Sequence, residues 1–237
     1  MLQSQRTRKV LCLHGIGTNG DIMEAQTGSL RYQLANIDPN TLFSFDFVNG
    51  SHPWPAHPEV AAVYGGDQHL SYYDGSSASA LQALDDLAAH VIDNGPYDSV
   101  MGFSMGGSLA ATLLLSPQDP ATDRPDWAAA RAMIHSAIFM SSAQPWETIE
   151  MSKGRMVKVR TQEVGTEGRW KPIEIPTFHL WSPRDLDIEP CESQDLMHMC
   201  KEDQRADFQH DAGHAIPTDV SGTETIAIEI QHMFARL

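Results

Sequence analysis

Basic residues are scarce in this chain: 16 lysines and arginines stand against 31 aspartates and glutamates, a formal charge of −15 over 237 residues. That balance opposes phosphate backbones and anionic membrane surfaces, so nucleic acid and membrane are excluded as expected partners. Cysteine is scarce too. Three thiols are too few for a disulfide framework, and their odd number leaves one unpaired. Cys12, inside an apolar run, reads as a small core residue, and Cys191 and Cys200 read as structural. No window approaches the roughly 20 apolar residues of a membrane span. The polar stretch Met1 to Lys9 has no apolar segment behind it of the kind a secretory leader carries. A reducing, cytoplasmic setting is the expectation. Phosphate-cradling motifs of the G-x-x-x-x-G-K-[ST] or G-x-G-x-x-G type are missing. His52 and His57 share a proline-rich loop and His198 lies beside Cys200, but neither pair comes with a carboxylate at ligand spacing. Neither a metal nor a cofactor is expected.

What the chain does have is a series of short apolar runs alternating with helical patterns. Lys9 to His14, Leu42 to Val48, Ser99 to Phe103, Ala137 to Met140, Ile175 to Trp181 and Ala206 to Gln209 read as strands. Helices are expected over Asp21–Asn36, Ser77–Asp93, the run after Ser104, Trp127–Met133, Pro190–Lys201 and Thr223–Phe234. Strands alternating with helices imply a mostly parallel sheet covered on both faces, an α/β fold in a single domain over residues 1–237. Two segments interrupt the pattern. Residues 49–75 hold the proline-rich run Gly50 to Pro58, which cannot be a helix or a central strand. A loop of that length without regular structure is usually functional. Its aromatics, Trp54, Tyr64, Tyr72 and Tyr73, suit a substrate-binding wall or a surface loop packed on itself. The second segment, about residues 142–172, reads as a hairpin or excursion over the pocket.

The stretch Gly102-Phe103-Ser104-Met105-Gly106 is G-x-S-x-G, between a buried strand and a helix. That context places a serine at the tip of a sharp strand-to-helix turn, beside helix N–H groups that favour negative charge. A serine hydroxyl is a poor nucleophile at neutral pH and needs a base, which in turn needs an orienter. Both should follow Ser104 in the chain, in loops at strand C-terminal ends. His214, in His210-Asp211-Ala212-Gly213-His214, sits between the last strand and the last helix, with His210 as its competitor. Asp185 lies nearest the end of the preceding strand, with Asp187 and Asp211 as alternatives. An oxyanion hole needs two backbone donors; Met105 supplies one, and Ile16, in the glycine-flanked loop after the first strand, the other. His14 reads as a histidine that hydrogen-bonds this loop in place.

With those residues in place, the chain resembles the FSH-type serine hydrolases, an α/β-hydrolase family that includes the ovarian-cancer-associated esterase and thioesterases of fungal polyketide pathways. The matching segments are Lys9 to Gly15, Phe47 to His52, Gly95 to Asp98, Gly102 to Gly107, Ile175 to His179 and Gly213 to Pro217, in order along the chain. The resemblance implies the α/β-hydrolase fold, Ser104 as nucleophile, Asp185 as orienter, His214 as base, and cofactor-free hydrolysis of carboxylic esters or thioesters. It also implies, as one substrate, a polyketide acyl chain on the carrier domain of a synthase. A short-chain esterase, an acyltransferase and a non-catalytic binder on the same scaffold are the alternatives. Two departures stand out: the family often has glutamine where this chain has Met105, and glycine where it has Ser182.

Overall fold

In the computed structural model, which describes residues 6–66 and 68–237, the first strand β1 (Arg6–Leu13) alternates its side chains between two cores. Leu11 and Leu13 face one, Val10 and Cys12 the other. This is the period-2 pattern of an extended chain buried on both faces. The same split recurs on β5 (Ser99–Phe103) and β6 (Ala137–Met140), where Val100 and Phe139 oppose Met101 and Ile138.

With β2 (Thr41–Val48), β7 (Thr177–Trp181) and β8 (Arg205–Gln209), these strands form a six-stranded parallel sheet in the order β2-β1-β5-β6-β7-β8. One face carries α4 (Ser77–Asn94), α5 (Met105–Leu114) and α6 (Pro125–Arg131). The other carries α1 (Gly20–Gln26), α2 (Gly28–Ile37) and α9 (Val220–Phe234). The chain leaves β1 for β2 on one side and returns through β5 on the other. Loops at that reversal, at the strands' C-terminal ends, open a crevice suited to ligands.

Three segments differ from the sequence expectation. The helix expected over Asp21–Asn36 is two, because the buried Thr27 turns its hydroxyl back on the Met23 carbonyl (2.7 Å) and α2 starts afresh at Gly28. Residues 49–75 are not without regular structure. They hold β3 (His52–Pro53) antiparallel to β4 (Leu70–Ser71), and between them the helix α3 (Pro58–Tyr64). Proline at a helix start sits where its missing N–H costs nothing, and Glu59-Val60-Ala61-Ala62-Val63 follows with no breaker. The 142–172 excursion is no strand hairpin. It holds α7 (Thr148–Met151) and one antiparallel bridge, Trp146 to Lys158, and buries Met151, Val159 and Trp170 in the core beneath α4 and α5. After β7, α8 (Pro190–His198) completes the elements.

Candidate active site

Ser104 joins β5 to α5 with φ 53° and ψ −119°, a conformation serine rarely adopts. Such a backbone costs about 1–3 kcal/mol and persists only where its surroundings hold it. The glycines two residues away make the turn possible. A Cβ on Gly102 would lie 2.5 Å from Gly107 Cα, and one on Gly106 2.2 Å from the Leu13 carbonyl oxygen. The first intrahelical bond of α5 runs from Ser108 N–H to the Ser104 carbonyl (3.1 Å). The N–H groups of Met105, Gly106 and Gly107 therefore have no acceptor within the helix.

His214, in the loop after β8, places Nε2 3.0 Å from Ser104 Oγ and Nδ1 2.8 Å from Asp185 Oδ2. Asp185, in the loop after β7, is buried. Its other oxygen accepts the N–H groups of Asp187 (3.0 Å) and Ile188 (2.9 Å). Burial alone would push the Asp185 carboxyl up. The bonds from His214, Ile188 and Asp187 outweigh it and hold the group below the usual carboxylate range. A carboxylate so held keeps the imidazole oriented with its proton on Nδ1, leaving Nε2 as an acceptor for the serine proton.

The competing residues lie elsewhere. Asp187 faces His57 Nε2 at 3.9 Å, and Asp211 faces Arg184 Nε at 3.5 Å, both near the surface. His210 is buried and accepts the Ala212 N–H on Nδ1 (3.2 Å); burial lowers its pKa.

Gly15, Ile16, Phe103, Ser104 and His214 open together into a cleft of about 450 Å³. Its far wall is α3, through Glu59, Val60, Val63 and Tyr64, and its mouth holds His57 and Asp187. Of the four aromatics expected in the wall, Tyr64 alone is there. Trp54 is half-buried beside the β3–β4 pair, outside the lining. Tyr72 and Tyr73 are buried in the core behind the loop after β1. The Tyr72 phenol bonds the His14 N–H and the Val48 carbonyl, and that of Tyr73 accepts from Trp146 Nε1. Consecutive residues of an extended stretch point to opposite sides, and neither side of this one is the cleft. The Met105 side chain also points elsewhere, its sulfur meeting Ser71 Oγ at 3.3 Å, outside the cleft lining. Among the described residues, the 142–172 segment supplies none of the lining. The helical form of the α3 wall, with Glu59, Val60 and Val63, is the part that sequence reasoning missed. Its signal was there, since Val60, Val63 and Tyr64 fall at i, i+3 and i+4, one face of a helix. Among the described residues, no three His, Cys, Asp or Glu side chains converge as metal ligands would, and no helix is long and apolar enough to cross a membrane.

A family model described as serine hydrolase (FSH1) matches residues 3–226. The chain belongs to the FSH1 serine hydrolase family. Esterase FPY3 of Fusarium mangiferae is 34% identical over 210 residues, which cover 88% of each chain. Hydrolase phiM of a fungal species is 27% identical over 231 residues, covering 97% of this chain and 96% of that one. The crystal structure of a Bacillus cereus carboxylesterase aligns with a TM-score of 0.57 at 13% identity, over 98% of this chain and 90% of that one. This FSH1 family member is thus an enzyme, a serine esterase, on the α/β-hydrolase fold.

Proposed function

We propose that the enzyme cleaves carboxylic esters or thioesters of an apolar acyl group of moderate size through an acyl-enzyme on Ser104. His214 Nε2 takes the hydroxyl proton as Oγ attacks the carbonyl carbon, and Asp185 steadies the imidazolium that forms. The carbonyl oxygen takes up the displaced electron pair and is met by the N–H groups of Met105 and Ile16. Collapse expels the alcohol or thiol, which leaves with the proton from His214. Water then repeats the sequence on the acyl-enzyme and releases the acid. One observation carries this reading: the unbroken line from Asp185 Oδ2 through His214 to Ser104 Oγ, with contacts of 2.8 and 3.0 Å, that ends in the cleft. The wall of Val60, Val63, Ile188 and Ile216 supports the apolar acyl group. The three free thiols, two of them buried, support a reducing, cytoplasmic setting.

Release of a polyketide chain from a carrier domain is the narrower form of the proposal, supported by the chain's resemblance to a family that includes thioesterases of fungal polyketide pathways. The test is turnover of one acyl chain as a thioester and as a matched oxygen ester, with Ser104→Ala as control. Ser104-dependent turnover strongly favouring the thioester supports carrier release. Comparable rates leave the general esterase and remove the narrower form. No Ser104-dependent turnover of either overturns the hydrolase reading.

A further inference from the structure

We infer that Tyr72 is a positioning residue that aims the Ile16 N–H at the developing oxyanion, acting through His14 and the Gly15 peptide. The inference rests on the acyl-enzyme reading above. Its starting point is covalent geometry. The Gly15 carbonyl and the Ile16 N–H belong to one planar peptide unit and point in opposite directions, so whatever fixes the carbonyl fixes the donor. Two donors fix it: His14 Nδ1 at 2.7 Å and Thr18 Oγ1 at 2.7 Å. The Gly50 N–H reaches Nε2 at 2.9 Å and makes that nitrogen the acceptor, which in the neutral ring places the proton on Nδ1, where it is donated to the Gly15 carbonyl. The ring is fully buried, and that burial lowers its pKa to about 4, so it stays neutral through the working range of an esterase.

Tyr72 holds this histidine. Its ring stacks on the imidazole with centroids 4.6 Å apart. Its Oη accepts the His14 N–H (2.8 Å) and donates to the Val48 carbonyl (2.9 Å), joining the ends of β1 and β2. Both the Tyr72 phenol and the Gly50 N–H come from the 49–75 segment. That segment therefore fixes the tautomer and place of His14 as well as contributing a cleft wall. Gly50 has no room to be anything else, because a Cβ there would lie 2.3 Å from the Ser71 carbonyl oxygen.

The test is Tyr72→Phe, which keeps the ring and removes the hydroxyl, with Tyr73→Phe as a neighbour whose phenol bonds Trp146 instead. Expected for Tyr72→Phe is a fall of about tenfold or more in kcat per titrated active site, with KM within twofold, since losing a whole oxyanion donor costs about 10²–10³. An alkyl trifluoromethyl ketone, which adds to Ser104 as a charged hemiketal, should bind more weakly by the same factor. Tyr73→Phe should change neither. A merely structural Tyr72 would lower the melting temperature and the yield of titratable sites while leaving kcat per site and ketone affinity unchanged, and that result overturns the inference. If Tyr72→Phe does not fold, Thr18→Val removes the second donor on the Gly15 carbonyl and should lower kcat and ketone affinity together; unchanged values overturn the inference equally. Loss of all Ser104-dependent turnover in the unaltered enzyme is a different result and sinks the acyl-enzyme reading itself.

Discussion

Asp185 gives one carboxylate oxygen to His214 Nδ1 and the other to the N–H groups of Asp187 and Ile188. The carboxylate is thus anchored to its own loop on one side while it orients the imidazole on the other. Asp185→Asn keeps the shape but can present an amide N–H to Nδ1, which favours the tautomer that cannot accept the serine proton. A loss of about 10⁴ in kcat is expected, the scale seen when a triad aspartate becomes asparagine. Asp187→Asn should leave kcat within a few-fold, because that side chain faces His57 at the cleft mouth. Steady-state kinetics on a chromogenic ester checks both, and equal losses would mean the two aspartates share the role.

The elbow glycines make a sharper steric prediction. Gly106→Ala places a Cβ 2.2 Å from the Leu13 carbonyl oxygen, a backbone atom that cannot swing aside. Forcing β1 and α5 apart should destabilise the fold by more than about 2 kcal/mol, within the range of severe core substitutions. Gly28→Ala is its counterpart. A Cβ there meets nothing within 4 Å, and the residue opens α2, so alanine should stabilise by about 0.4–1 kcal/mol by restricting the unfolded chain. Thermal or denaturant unfolding of both variants tests the pair.

These positions also show why part of the site was legible in the sequence. Ser104, Asp185 and His214 lie in loops that follow strands, and their order along the chain limits which aspartate and which histidine can meet the serine. Gly102 and Gly106 announce a turn that only they permit. The pocket was less legible. Tyr72 and Tyr73 sit in the expected segment, yet which way an isolated pair of extended residues points depends on the partner strand, and β4 is two residues long. The α3 wall has the right periodicity, but two helical turns after a proline-rich run carry little weight against the composition around them. The 142–172 excursion was legible as a departure from the alternation of strands and helices, but where such a departure packs is set by Trp170 and Met151, deep in the core.

Charge in the cleft predicts a substrate preference. Among the described lining residues the ionised side chains are Glu59 and Asp187, with no lysine or arginine among them. Two like charges about 4 Å apart in water repel by roughly 1 kcal/mol, about fivefold in rate. An ester whose acyl chain ends in a carboxylate should react about five- to tenfold more slowly in kcat/KM than its methyl-capped analogue. The gap should narrow in 0.5 M salt and in Asp187→Asn, since exposed charges are screened over about 8 Å at physiological ionic strength. A faster carboxylate substrate would show that recognition comes from groups other than these two.

Two buried histidines that exchange no proton with the substrate predict how stability responds to acid. His14 and His179 are buried, and that burial lowers their pKa from 6.5 to about 4 and about 3 respectively. In the unfolded chain each takes up a proton as the pH falls through 6.5, while the fold keeps both neutral until far lower. The unfolded state therefore binds more protons in that window, and stability falls as pH falls. The contribution is fully present above about pH 7 and is lost progressively between 6.5 and 4. Asp185, whose folded pKa is lowered, adds a loss of the same sign at lower pH, as its folded form becomes protonated. His179 makes its side-chain bond to Thr177 Oγ1 (3.1 Å), away from Ser104, so it can be replaced without touching the reaction. His179→Gln should lose less melting temperature than the unaltered enzyme between pH 6.5 and 4, even if it starts lower. Parallel curves for the two proteins would show that His179 gains its proton in the folded state as readily as in the unfolded one, and that its burial does not control the acid response.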